Sequence, residues 1–148
     1  MTYQEKKSIV SILSTIFIFG FYIVYRYIQY PDEGVVGTAI FHYWGSFVLI
    51  LALVSIIAHI VISIIFIIVY RLTTGEEEPR FTDELDQLIN LKAYRNSFFV
   101  FVSGFLLAMV SQVLDQPVPA MFLILISSGF LSDVTTSVTR LYHYRRGV

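Results

Sequence analysis

Cysteine is absent from the 148 residues, which excludes disulfides, thiolate metal centres and a cysteine nucleophile together. Charge is scarce as well. Asp, Glu, Lys and Arg make up 14% of the chain, against about 25% in soluble domains. The net charge of −1 gives no basic surface for nucleic acid, so none is expected as a partner. Catalytic signatures are missing too. There is no H-E-x-x-H pair, no glycine-rich phosphate loop and no nucleophile elbow, and the serines and histidines have no spacing that argues for a triad. Of the three histidines, His42 and His59 lie 17 residues apart on one apolar segment and His143 lies near the chain end. They cannot sandwich a haem, and no cofactor is expected.

What the chain has instead is apolar residues, 56% by count, with a mean hydropathy of +0.72. Crossing a hydrocarbon layer of about 30 Å takes about 20 mostly apolar residues. Four spans satisfy this, at about 8–28, 47–70, 97–114 and 118–141. The apolar run that holds the second span begins near Val36 and reaches Tyr70, too long for one upright crossing. Its first third, GTAIFHYWGS, is therefore read as interfacial or projecting beyond the membrane. Backbone groups in lipid must be satisfied internally, and continuous runs of this length exclude strands. The three residues between Leu114 and Val118 force the last two spans into an antiparallel hairpin. The expected fold is all-α: a single-domain, integral membrane four-helix bundle, multi-pass in the cell membrane, with the lipid bilayer as its first partner.

The few charges are placed asymmetrically. Lys6, Lys7, Arg71, Arg80, Lys92, Arg95, Arg140, Arg145 and Arg146 fall on one side of this layout, leaving Arg26 alone on the other. The excess of basic residues marks the cytoplasmic side, so both termini and the 71–96 loop are expected there. The 29–37 and 115–117 connections then face outward, punctuated by Pro31, Gly34, Pro117 and Pro119. Tyr22, Tyr25, Tyr27, Tyr30, Tyr43 and Trp44 gather at the outer interface, as an aromatic belt does. The first span is longer than a signal-peptide core and no A-x-A-like site follows it, so it reads as an uncleaved helix.

The 71–96 loop is the one hydrophilic stretch of any size. Thr73, Thr74 and Gly75 end the second helix, and Glu76, Glu77, Glu78 and Pro79 form an acidic breaker. Thr82 suits an N-cap, with Asp83, Glu84 and Asp86 in the first turns and Lys92 and Arg95 later. The helix is expected to continue unbroken into the third span, with Leu85, Leu88, Ile89 and Lys92 on one face. Asp83, Glu84, Asp86, Lys92 and Arg95 are candidates for docking a partner. The competing reading is a solvated helix start whose acidic charge suits the macrodipole. No metal site is expected, because i, i+3 spacing does not bring enough oxygens to one point.

The stretch TDELDQLINLKAYR, with the closing LYHYRRGV, resembles a family of small, uncharacterised four-helix integral membrane proteins of bacteria and archaea. That family carries a D-E-x-D-x-L-I-x-L-K-A-x-R stretch before its third helix and ends in a Y-R-R-G tail. The likeness covers roughly residues 80–148, and the first half agrees in layout only. It implies a prokaryotic source and a role in signalling or stress response, since some members are encoded near helix-turn-helix regulators. It brings no catalytic residues.

Ionisable groups inside a span are functional candidates by default. His59 lies in the second span with Ser55 and Ser63 one turn to either side. Asp133 lies in the fourth, with Gly129 and Ser137 at the same offsets. A shift of 74 residues superposes Ser55, His59, Ser63, Tyr70 and Arg71 on Gly129, Asp133, Ser137, Tyr144 and Arg145, and a shift of 84 carries Phe17, Gly20 and Phe21 onto Phe101, Gly104 and Phe105. The chain then reads as a degenerate tandem repeat of a two-helix hairpin, with His59 facing Asp133. The alternative pairs Asp133 with Arg140. Gly104 with Ala108, Ser128 with Ser132 and Thr136, and Ser8 with Ser11 and Thr15 are small-residue rows suited to close helix packing.

Two functions follow as expectations. The first is a non-enzymatic interaction or regulatory module, or a subunit of a larger membrane complex, with a membrane or cytoplasmic protein partner. The second is a small transporter or channel using His59 and Asp133, in which a second copy of the chain is needed to line a pore.

Overall fold

The computed structural model describes residues 2–29, 37–75 and 84–146. They form four helices, α1 (Tyr3–Ile28), α2 (Ala39–Thr74), α3 (Glu84–Val113) and α4 (Val118–Arg146), and no strand among the described residues. All four are long and apolar enough to cross a membrane.

Local chemistry sets the helix ends. α1 begins five residues before the apolar run because Thr2 and Glu5 form a capping box. The Glu5 N–H donates to the Thr2 hydroxyl (3.3 Å) and the Thr2 N–H to the Glu5 carboxylate (3.1 Å). α2 stops at Gly75, whose φ of +69° is left-handed and whose N–H reaches the Arg71 carbonyl at 3.0 Å. α3 closes in a Schellman turn: Gln116 N–H donates to Ser111 O (3.0 Å) and Asp115 N–H to Gln112 O (3.2 Å). Asp115 takes the left-handed position usually held by glycine, at φ 55°.

α2 has 36 residues, about 54 Å of helix. Of the segment read from sequence as interfacial or projecting beyond the membrane, residues 39–46 belong to it without a break, and Trp44 and Phe47 of the helix are buried against α1 and α4. Tyr22 joins them, donating from its hydroxyl to the Phe47 carbonyl (3.0 Å) with the two rings edge-on at 5.0 Å. Trp44 stacks on Phe122 at 6.0 Å. Two residues assigned to an interfacial belt are therefore core. Tyr22 can be buried because its hydroxyl finds a carbonyl inside the protein. Tyr25 and Tyr27 remain exposed, and Tyr30 lies outside the described residues. Arg26, the lone basic residue at this end, lies over the rings of Tyr43 (4.7 Å) and Phe47 (5.4 Å).

α4 is the hub of the bundle. It packs along α3, along α1 and, over a shorter stretch, against α2, while α1 also packs on α2. Among the described residues α3 packs on α4 alone. That pairing is close because α3 presents a buried line of small residues, Ala93, Ser97, Gly104, Ala108 and Ser111. The Ser132 hydroxyl crosses the seam to the Ser97 carbonyl at 2.9 Å. Close contact between small residues and interhelical hydrogen bonding are the interactions that hold helices together where lipid surrounds them.

Candidate functional site

His59 is held from two sides. Its Nδ1 lies 2.8 Å from the Ser55 carbonyl, one turn back on α2. A carbonyl only accepts, so Nδ1 carries the proton. Its Nε2 lies 3.2 Å from the hydroxyl of Thr15, a buried residue of α1. Thr15 was read from sequence as a packing residue; it also fixes the imidazole. This arrangement anchors the ring between α1 and α2 and selects one tautomer of the neutral form.

Asp133 faces a cleft of about 740 Å³ walled by α1, α2 and α4, with Phe101 of α3 at its rim. The lining is largely apolar, with Phe19, Phe101, Phe122 and Phe130 contributing rings. His59 and Ser55 line the same cleft, so the structure gathers three of the sequence-selected residues at one place. The imidazole and the carboxylate share this space without a hydrogen bond or ion pair between them, because both ring nitrogens are committed to Thr15 and Ser55. Among the described residues Asp133 makes no side-chain hydrogen bond, and no ion pair joins it to Arg140. The Arg140 guanidinium lies instead over the Tyr94 ring at 5.2 Å, with its Nε buried and unpartnered.

A second cavity, about 390 Å³, opens on the other side of His59, toward the end that holds the chain termini. It is polar. Lys7, Ser11, Ser63, Asn90, Arg140 and Tyr144 are among the residues lining it. His59 borders both cavities and forms the boundary between them. Ser63 belongs to the polar cavity. Ser137 is buried and meets Ser11 of α1, hydroxyl to hydroxyl at 2.9 Å, so it joins two helices rather than lining the cleft with Asp133.

The acidic helix start has a different fate from the one expected of a docking cluster. Asp83 lies outside the described residues, as do Thr82 and Glu76 to Glu78. Glu84 and Arg95 are exposed and Lys92 is half-buried. Asp86 is turned inward, where it accepts a hydrogen bond from the Tyr144 hydroxyl at 2.8 Å and ties α3 to the end of α4. The expected shared face is also corrected. Ile89 is fully buried, whereas Leu85 and Leu88 are 45% and 42% exposed. The side turned to the bundle runs through Asp86, Ile89, Ala93 and Ser97, because the small residues of α3 define which side approaches α4.

No family model, curated protein or solved structure matches the chain.

The Asp86–Tyr144 link makes stability depend on pH in the alkaline range. Burial first, then the hydrogen bond to Asp86 and its charge, push the Tyr144 phenol well above its ordinary value of 10.0, against the opposing pull of Arg140. A raised acid resists ionising in the folded state, so its contribution is complete below about pH 10 and is lost as pH climbs through the folded value. Thermal unfolding in detergent should therefore show the wild type losing stability above about pH 10. Tyr144→Phe should start about 1 kcal/mol lower at neutral pH, for the lost hydrogen bond, and decline less steeply. Parallel curves for the two proteins would exclude Tyr144 as the titrating group.

Proposed function

We propose that the protein is a non-enzymatic membrane module that works by binding within the bilayer, as a regulatory protein or a subunit of a larger membrane complex does. The observation that carries this reading is the incomplete closure of the bundle. α2 and α3 border one cleft without packing on each other, and the cleft is apolar and of a size that suits a small molecule. Docking through the acidic start of α3 has less support, since Asp86 is engaged by Tyr144. In this reading both termini lie on the cytoplasmic side of the cell membrane of a prokaryote, following the basic residues. The chain descends from a duplicated two-helix hairpin, now degenerate. Gly104 is jammed against α4, while its counterpart Gly20 has open space around it.

Native mass spectrometry of the purified protein tests the binding reading. Wild type should retain a bound small molecule that Gly129→Leu loses. Gly129 lines the cleft, and a Cβ there meets nothing within 4 Å, so a larger side chain can start into the cleft without a clash at its Cβ. Identical spectra for the two proteins would sink it.

One observation favours a second reading, a small oligomeric transporter. The polar cavity and the apolar cleft both border His59, so a solute passing from one to the other would have to pass this single group. Flux in proteoliposomes that disappears in both Asp133→Asn and His59→Ala would establish transport; absence of flux in the wild type would reject it.

A further inference from the structure

We propose that the cleft is a binding site for a lipophilic organic cation, with Asp133 as its counter-ion. This rests on the reading of the cleft as a binding site and names the ligand class. The argument turns on what could satisfy both the carboxylate and the walls around it.

The cleft lining contains two ionisable side chains, Asp133 and His59. His59 spends both ring nitrogens on Thr15 and Ser55, leaving the carboxylate without a hydrogen-bonded or paired neighbour among the described residues. A carboxylate in such surroundings is costly unless something compensates it. A neutral lipid chain would fill the volume and leave the carboxylate as it is. An anion would be repelled by it. A hard metal cation needs several converging oxygens, and no group of three metal-ligating side chains gathers among the described residues. The neighbouring Ser132 hydroxyl is already spent on the Ser97 carbonyl.

An organic cation with an apolar surface meets both demands. Its charge pairs with Asp133 and its body replaces lipid or water against the aliphatic wall. Phe19, Phe101, Phe122 and Phe130 line the same space, and aromatic rings attract a cation. At about 740 Å³ the cleft falls within the range of small-molecule sites. Access comes from the bilayer, where α2 and α3 stand apart and Leu49, Ile56 and Phe101 form an exposed rim.

The test uses the full chain in detergent micelles, with tetraphenylphosphonium as probe and calorimetry as readout. Wild type should bind the probe saturably, and Asp133→Asn should weaken binding on the order of tenfold or more, as loss of one partner of a charge pair does. Asp133→Glu should retain most of the affinity and Gly129→Leu should abolish binding, each with unfolding unchanged. Tetraphenylborate, of the same shape and opposite charge, should not bind. Absence of saturable binding, equal affinity in Asp133→Asn, or equal affinity for the borate would overturn the proposal. Should Asp133→Asn misfold, the contrast between the two probes on wild type decides alone. A wild type that keeps its adduct in native mass spectra, loses it in Gly129→Leu and yet ignores the cation would refute the ligand class and leave the cleft reading standing. Loss of both results would refute both.

Discussion

Gly104→Leu should prevent α3 and α4 from pairing, and even Gly104→Ala should destabilise the protein by about 1–3 kcal/mol, the usual cost of forcing extra atoms into a packed seam. A Cβ added at Gly104 would overlap the Ser128 Cβ and come within 2.9 Å of its Oγ and 3.4 Å of its Cα. A Cβ is fixed to the backbone and cannot rotate aside, so the two helices would have to separate. That separation would also strain the hydrogen bond from Ser132 to the Ser97 carbonyl, further along the same seam. Ser128→Gly should therefore rescue Gly104→Ala in part, since it removes the group the new methyl strikes. Reversible unfolding in mixed micelles, run as a double-mutant cycle, measures the coupling. If the two substitutions were simply additive, the close approach would not be the cause.

Ile89→Ala should be the most damaging single truncation at the terminal end of the bundle. Among the described residues Ile89 is the one large side chain with no exposed surface, and it sits one turn after Asp86, at the level where Asp86 and Tyr144 meet. Loss of a buried isoleucine costs about 2–5 kcal/mol, partly through lost transfer energy and partly through the cavity left behind. Leu91→Ala provides the comparison. Leu91 lies two residues away and is 68% exposed, so its truncation should stay within about 0.5 kcal/mol. The same unfolding assay checks both, and equal effects at the two positions would mean that α3 is rotated from the orientation described.

Much of the architecture could be read along the chain. Four apolar runs became four helices, the short 115–117 link closed α3 against α4, and Gly75 ended α2. These features are local, set by run length, turn chemistry and the capacity of glycine for positive φ. Boundaries set by single side chains were less visible. The capping box of Thr2 and Glu5 extends α1 beyond its apolar run. The aromatic residues were the hardest to place. Tyr22 and Tyr27 have the same composition and nearly the same position, yet one is core and the other exposed, because only Tyr22 faces the Phe47 carbonyl of α2.

The candidate site divides in the same way. His59, Asp133 and Ser55 stood out because an ionisable or polar group in an apolar run is conspicuous without any structure. Thr15 and Phe101 did not, since a threonine in a small-residue row and a phenylalanine in an apolar helix carry no signal of their own. Ser137 was selected for its spacing from Asp133 and turned out to bond Ser11.

The sequence by itself determined that this is a chain of four apolar helices with two conspicuous polar groups among them, because hydropathy and helical spacing are properties of consecutive residues. It took the packing of the helices to settle that, among the described residues, α3 packs on α4 alone, that His59 is tied to Thr15, and that Asp133 faces an open cleft. Those outcomes depend on how near two helices can come. At the α3–α4 seam that distance is set by Gly104 and Ser128, residues of opposite helices whose fit no one-dimensional pattern records.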